Sequence, residues 1–127
     1  ALLRDNILFT LNILFHTVHY IQLQIKTAFN DSMGESAAIK TLTKPDILAI
    51  DEFDWIPNRQ ASTTDDYWQS TIYHIINKRY NDMKDTILTS NKTEAEFAAT
   101  TIAPIKSRIA ETGGLVSTDD WTNWRER

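Results

Sequence analysis

The chain has 127 residues, of which 42% are apolar and 24% charged, and its formal net charge is −4. That size and composition fit one globular domain and exclude both a disordered tail and a surface that is basic overall, so any nucleic acid must meet a local patch. With no cysteine there is neither a disulfide framework nor a thiolate metal site, which suits a reducing cytoplasm.

The first residues, "ALLRDNILF", have no basic region followed by a small-residue cleavage site and do not read as a signal peptide. "ALLRDNILFTL" reads as a helix feeding a strand at "NILFHTV" (12–18), which is rich in apolar and β-branched residues. Asn6, Asn12 and His16 break the apolar runs short of the ~18 to 20 residues of a spanning helix, so no membrane insertion is expected. In "HYIQLQIKTAF" the residues Ile21, Ile25, Ala28 and Phe29 fall at i, i+4, i+7 and i+8, a helical face. "NDSMGESAAIKTLTKP" reads as a polar connection with turn residues Gly34 and Pro45. A short strand, Ile47 to Ile50, follows and ends in carboxylates; its unbroken apolar run reads as buried on both faces, since a half-exposed strand would alternate.

"IPNRQASTTDD" (56–66) reads as a loop, with Thr64 or a neighbour capping a helix whose face is Trp68, Ile72, Ile75, Ile76 and Tyr80. "DTILTSN" (85–91) is the next strand, and Thr93 with Glu96 fits a capping box. Pro104 suits a first helical turn, Ile105 and Ile109 share a face, and Gly113-Gly114 stops the run. "LVST" reads as a last short strand. Strands alternating with helices imply an α/β fold with a parallel sheet and right-handed crossovers.

The chemistry concentrates in "PDILAIDEFDW" (45–55). Carboxylates at the carboxyl end of a buried parallel strand stand where open α/β sheets place ligands. Asp51 could serve a Mg²⁺ carried on nucleotide phosphates, and Glu52 could orient and deprotonate an attacking water. The plainer alternative is that both acids cap the next turn. The second strand, "TILTSN", ends in Ser90 and Asn91, so two neighbouring tips would carry complementary polar groups. Asn91 could hold the water, although asparagine after a strand is commonly a turn former.

The order of acid pair, helix, "TILTSN", a helix with Arg108, and terminal "WTNWRER" resembles the AAA+ ATPases of the bacterial helicase-loader group (DnaC and DnaI type) and the related IstB-type transposition ATPases. The resemblance runs from about "ILFHTV" to the end. It implies a three-layer α/β fold of the P-loop NTPase class, with residues 1–127 forming the carboxyl-terminal part of one AAA+ domain. "DILAIDEFD" is similar to a Walker B strand, "IINKRYNDMKDTILTSN" to the sensor 1 helix and strand, "IKSRIAETGGLV" to the arginine-finger segment and "WTNWRER" to the sensor 2 motif. The implied roles are Asp51 on Mg²⁺ through water, Glu52 as catalytic base and Asn91 as sensor. Arg108 would reach a neighbouring subunit's nucleotide, and Arg125 the γ-phosphate in its own. The implied cofactors are ATP and Mg²⁺. The implied partners are a replicative helicase, single-stranded DNA and further copies of the chain.

Two departures stand out. Pro104 occupies the position where the family carries a further arginine, four before the finger. No G-x-x-x-x-G-K-[ST] occurs, so the phosphate-cradling loop and its strand are expected upstream of Ala1, and the fold is expected to be incomplete at its N-terminal side. A non-catalytic protein- or DNA-binding module is the alternative. His16, His19 and His74 are scattered and fit no metal site. The four tryptophans, Trp55, Trp68, Trp121 and Trp124, could stack on single-stranded bases, but Trp68 reads as core, and Trp55 and Trp124 are the better candidates for an interface. The lysines and arginines between Lys26 and Lys84 read mostly as solvated faces.

Overall fold

The computed structural model describes residues 11–28, 34–53 and 63–118. In chain order these form β1 (Ile13–Thr17), α1 (Val18–Ala28), α2 (Gly34–Thr43), β2 (Ile47–Asp51), α3 (Thr63–Asn81), β3 (Asp85–Leu88), α4 (Glu94–Thr100) and α5 (Ala103–Thr112). The strands form one parallel sheet in the order β1-β2-β3, flanked by helices, as expected of an α/β fold.

Register explains which residues are buried. The rows Leu14–Leu48–Thr86 and His16–Ile50–Leu88 lie on one side of the sheet, and Leu48 and Ile50 join the core there. In α1, Val18, Ile21, Gln22 and Ile25 recur at helical spacing and are buried. Ile72, Ile75 and Ile76 of α3 complete the same cluster. Each fully buried aliphatic side chain contributes roughly 1.5–3 kcal/mol relative to exposure. The row Phe15–Ala49–Ile87 points the other way, with Phe15 60% and Ile87 53% exposed. Trp68 is buried, as its place on the apolar face of α3 implies.

Three expectations are corrected. The polar connection contains a helix, α2, whose Leu42 enters the core; one buried side chain on a polar ten-residue segment is too faint a period to read. "LVST" (115–118) is not a strand, because a groove separates it from β3 and a strand exists only where it has a ladder partner. Arg79 does not lie on a solvated face: it has no exposed surface.

Arg79 pins the amino ends of the strands. Its NH1 donates to the carbonyls of Leu42 at 3.0 Å and Pro45 at 2.8 Å, its NH2 to those of Asp46 at 3.3 Å and Asp85 at 2.6 Å, and its Nε to Thr86 Oγ1 at 2.9 Å. Burial pulls its pKa down, and the Asp85 and Asp46 carboxylates oppose that shift. Asp46 adds a second tie, accepting from Asn12 N at 3.0 Å and Lys84 Nζ at 3.2 Å. With the amino ends fixed, the heights of the β2 and β3 tips at the opposite end are fixed too.

The ends of the later helices follow their sequence signals. Thr93 Oγ1 accepts from Glu96 N at 3.3 Å while Glu96 Oε2 accepts from Thr93 N at 3.1 Å, the capping box. Pro104 stands in the first turn of α5, and Gly113 ends that helix. Gly114 then takes φ 73°, a backbone region glycine adopts without strain. The expected helix at 1–11, the cap of α3, Trp55, Trp121, Trp124 and Arg125 lie outside the described residues. No helix among the described residues is long and apolar enough to cross a membrane.

Candidate nucleotide-binding site

At the carboxyl tip of β2 the chain must pass from a buried strand to solvent. Ile50 is buried, Asp51 is half-buried, Glu52 is exposed and Phe53 is buried again. Phe53 anchors the turn: its N–H donates to the Thr89 carbonyl at 2.9 Å, and its ring lies 6.0 Å from that of Phe97 in α4. Between half-buried Asp51 and buried Phe53, Glu52 adopts φ 56°, left-handed backbone that a residue with a Cβ takes at a cost of about 1 kcal/mol or more. That turn leaves the Glu52 side chain at the surface, without a partner among the described residues.

β3 delivers the second tip. Thr89 N donates to the Ile50 carbonyl at 3.0 Å, carrying the ladder one step beyond the strand. Thr89 Oγ1 donates to Asp51 Oδ1, which joins the two tips through side chains. Ser90 Oγ accepts from Lys92 N at 3.1 Å, turning the chain toward α4, and Asn91 is exposed. A groove of about 550 Å³ runs along β3, lined by Thr86, Leu88, Ser90, Asn91, Val116 and Thr118 among others. In the described residues β3 has no strand on that side.

The structure thus brings Asp51 against the β3 tip, two residues before Asn91, with Glu52 adjacent. Thr89 was not singled out in the sequence, although extending the register Ile50↔Leu88 by one residue pairs Asp51 with it. Arg108 lies elsewhere. Its NH2 donates to Asn77 Oδ1 at 3.1 Å, its guanidinium carbon is 4.1 Å from the Tyr80 ring centroid, and Glu111 Oε2 is 3.5 Å from NH1. Tyr80 OH donates to that same Glu111 oxygen at 2.6 Å. The bond holds the Glu111 carboxyl below its ordinary pKa and raises that of the Tyr80 phenol.

No cluster of three or more histidine, aspartate or glutamate side chains suited to a metal ion occurs among the described residues. Mg²⁺ carried on a nucleotide keeps water and phosphate oxygens in most positions and needs only one or two carboxylates from a protein. A half-buried Asp51, oriented by Thr89, is a donor of that kind.

The family model described as IstB-like ATP binding protein matches residues 1–105. The chain belongs to this IstB-like ATP-binding family. The IstB-like match takes in Asp51, Glu52 and Asn91 and ends before Arg108 and Arg125. Among solved structures the chain is similar to AMPPCP-bound DnaA from Aquifex aeolicus, with a TM-score of 0.64 at 15% identity. That likeness covers 84% of this chain and 30% of the DnaA chain, and at such identity it concerns the fold, that of an AAA+ domain. No curated protein matches the chain. Family membership supports nucleotide binding by this IstB-like chain, and the fold agrees with it.

Proposed function

We propose that residues 1–127 are the carboxyl-terminal part of an AAA+ ATPase domain that works in the cytoplasm, binds Mg-ATP between subunits and uses hydrolysis to remodel a protein assembly on DNA. The observation that carries this is the joined pair of strand tips in an IstB-like chain, where Thr89 holds Asp51 and a strained turn exposes Glu52. Asp51 would hold Mg²⁺ through water, and Asn91 would hold the attacking water at the γ-phosphate. Glu52 takes the proton of that water as it attacks in line, and Arg108 and Arg125 meet the developing phosphate charge. When bound, Mg²⁺ neutralises charge between the phosphates. Among the described residues the open side of β3 is where the strand of a phosphate-binding loop could join.

The task of the machine has two readings. Loading of a replicative helicase onto single-stranded DNA rests on the resemblance of the motif order to the helicase-loader group, which the IstB-type ATPases share. Accessory ATPase work in transposition is favoured by the IstB-like match.

The test is Glu52→Gln in the full-length protein. We expect turnover to fall by about 10²-fold or more with ATP affinity retained, and unchanged turnover would remove Glu52 from the mechanism. Calorimetric titration with ATP separates the classes. Mg²⁺-dependent heat supports the ATPase, whereas silence with retained helicase or DNA binding supports a non-catalytic module. Stimulation of turnover by a helicase or by a transposase then chooses between the two tasks.

A further inference from the structure

α3 leaves the region of the β2 tip and ends at Asn81, just before β3 begins at Asp85. It therefore runs back along the sheet, and at roughly 1.5 Å per residue its 19 residues span about 28 Å. Arg79 confirms the direction, since it binds carbonyls at the amino ends of β2 and β3. Tyr80 and Asn77 thus stand at the end of the sheet opposite Asp51 and Glu52, and Arg108, seated on them, stands there too. A side chain so placed cannot serve the nucleotide bound at its own β2 tip. It can serve an anion brought by a second copy of the chain.

Its seating suits that task. The Tyr80 face fixes the plane of the guanidinium by cation–π attraction, which is worth more as water is excluded. The Asn77 contact fixes rotation within that plane. Glu111 completes the frame at the longer distance of 3.5 Å while its oxygen takes the stronger bond from Tyr80. Among the described residues, the N–H on Nε and one on each terminal nitrogen have no hydrogen-bond acceptor and can meet phosphate oxygens, and the side chain is 29% exposed.

We propose that Tyr80 and Asn77 of α3 are positioning residues for Arg108, holding its guanidinium as a preformed contact for the triphosphate of an adjoining copy. The inference rests on the ATPase reading above. Preorganisation matters because an unsupported arginine must be ordered during each turnover, and a misplacement of about 1 Å can cost up to 10²-fold in rate.

The experiment compares full-length wild type with Arg108→Ala, Tyr80→Ala, Tyr80→Phe and Asn77→Ala in steady-state ATP hydrolysis, with melting temperature as a check on folding. Arg108→Ala sets the size of the arginine contribution. Tyr80→Ala is expected to lower kcat about tenfold with KM for ATP unchanged, and Tyr80→Phe, which keeps the ring, to restore most of it. Asn77→Ala should fall between them and serves if Tyr80→Ala melts early. Mixing Tyr80→Ala subunits with Glu52→Gln subunits should recover turnover, because the latter supply an intact Arg108 to the former's nucleotide.

A wild-type protein that neither binds nor hydrolyses ATP overturns the ATPase reading and this inference with it. Wild-type turnover that is lost in Arg108→Ala but kept in both Tyr80→Ala and Asn77→Ala overturns the inference alone. A rise in kcat for those two variants would show that the frame restrains Arg108, and would also overturn it.

Discussion

The guanidinium of Arg79 donates to the Asp85 carbonyl at 2.6 Å from a site with no solvent exposure. Four more oxygens take bonds at 3.3 Å or shorter from the same side chain, three of them carbonyls. Arg79→Ala leaves those carbonyls without a donor, each a desolvation penalty of about 1–3 kcal/mol if unmet. The expected loss is about 3–5 kcal/mol by urea unfolding. Arg79→Lys offers three donors for five acceptors and should recover only part. A loss below about 1 kcal/mol in Arg79→Ala would mean that water replaces the pin.

Glu52 bears backbone strain that a glycine would relieve. Glu52→Gly is expected to raise unfolding stability by about 0.5–1 kcal/mol, the gain being reduced by the greater freedom of glycine in the unfolded chain. Turnover should vanish in the same variant. Glu52→Gln keeps the Cβ and should leave stability unchanged, so the pair separates strain from chemistry. A less stable Glu52→Gly would show that the turn is held by side-chain contacts instead.

Thr89 links the tips through its hydroxyl. Thr89→Val keeps the shape and removes the donor to Asp51. Because residues that orient a metal-binding side chain carry much of its affinity, the Mg²⁺-dependent part of ATP binding should weaken about tenfold. Binding measured without Mg²⁺ should stay as it was. Calorimetry across a Mg²⁺ series reads both, and an unaltered Mg²⁺ dependence would leave Thr89 with a packing role only.

Asp46 is held below the ordinary carboxylate range, first by the Asn12 N–H and then by Lys84. A carboxyl with a depressed folded pKa contributes stability that is present above its unfolded value, about 4, and is lost as pH falls through the folded value. Asp46→Asn should therefore be less stable than wild type at pH 7, with the gap closing as both are acidified below about pH 5. Melting curves across that range test this, and a gap independent of pH would exclude the charge as its source.

Much of the architecture was legible because it rests on period and punctuation. The faces Ile21–Ile25 and Trp68–Ile72–Ile75–Ile76 are buried as their spacing implies, and the Thr93–Glu96 box and the Gly113 stop lie where the sequence places them. The acid pair after "ILAI" is at a strand tip as expected, but burial along that strand alternates, complete at Leu48 and Ile50 only, where the continuous apolar run implies burial on both faces. Residues whose burial runs against their chemistry were hidden. Arg79 lies three after Ile76 and seven after Ile72, on the buried face by spacing, yet its charge argued for solvent. The seat of Arg108 depends on where α5 crosses α3, a tertiary fact with no local signature. Thr89 was overshadowed by Ser90 and Asn91, whose polarity draws the eye while the register chooses Thr89.

β3 presents a bare ladder margin beside Ile87 among the described residues. Backbone donors and acceptors there form a template that any extended polypeptide can zip onto, with an oily side chain to steady its landing. On the ribosome or after dilution from denaturant, such a margin offers a stray copy a grip, as does the outer margin of β1. A segment paired along it would guard the protein against clumping as well as completing the sheet.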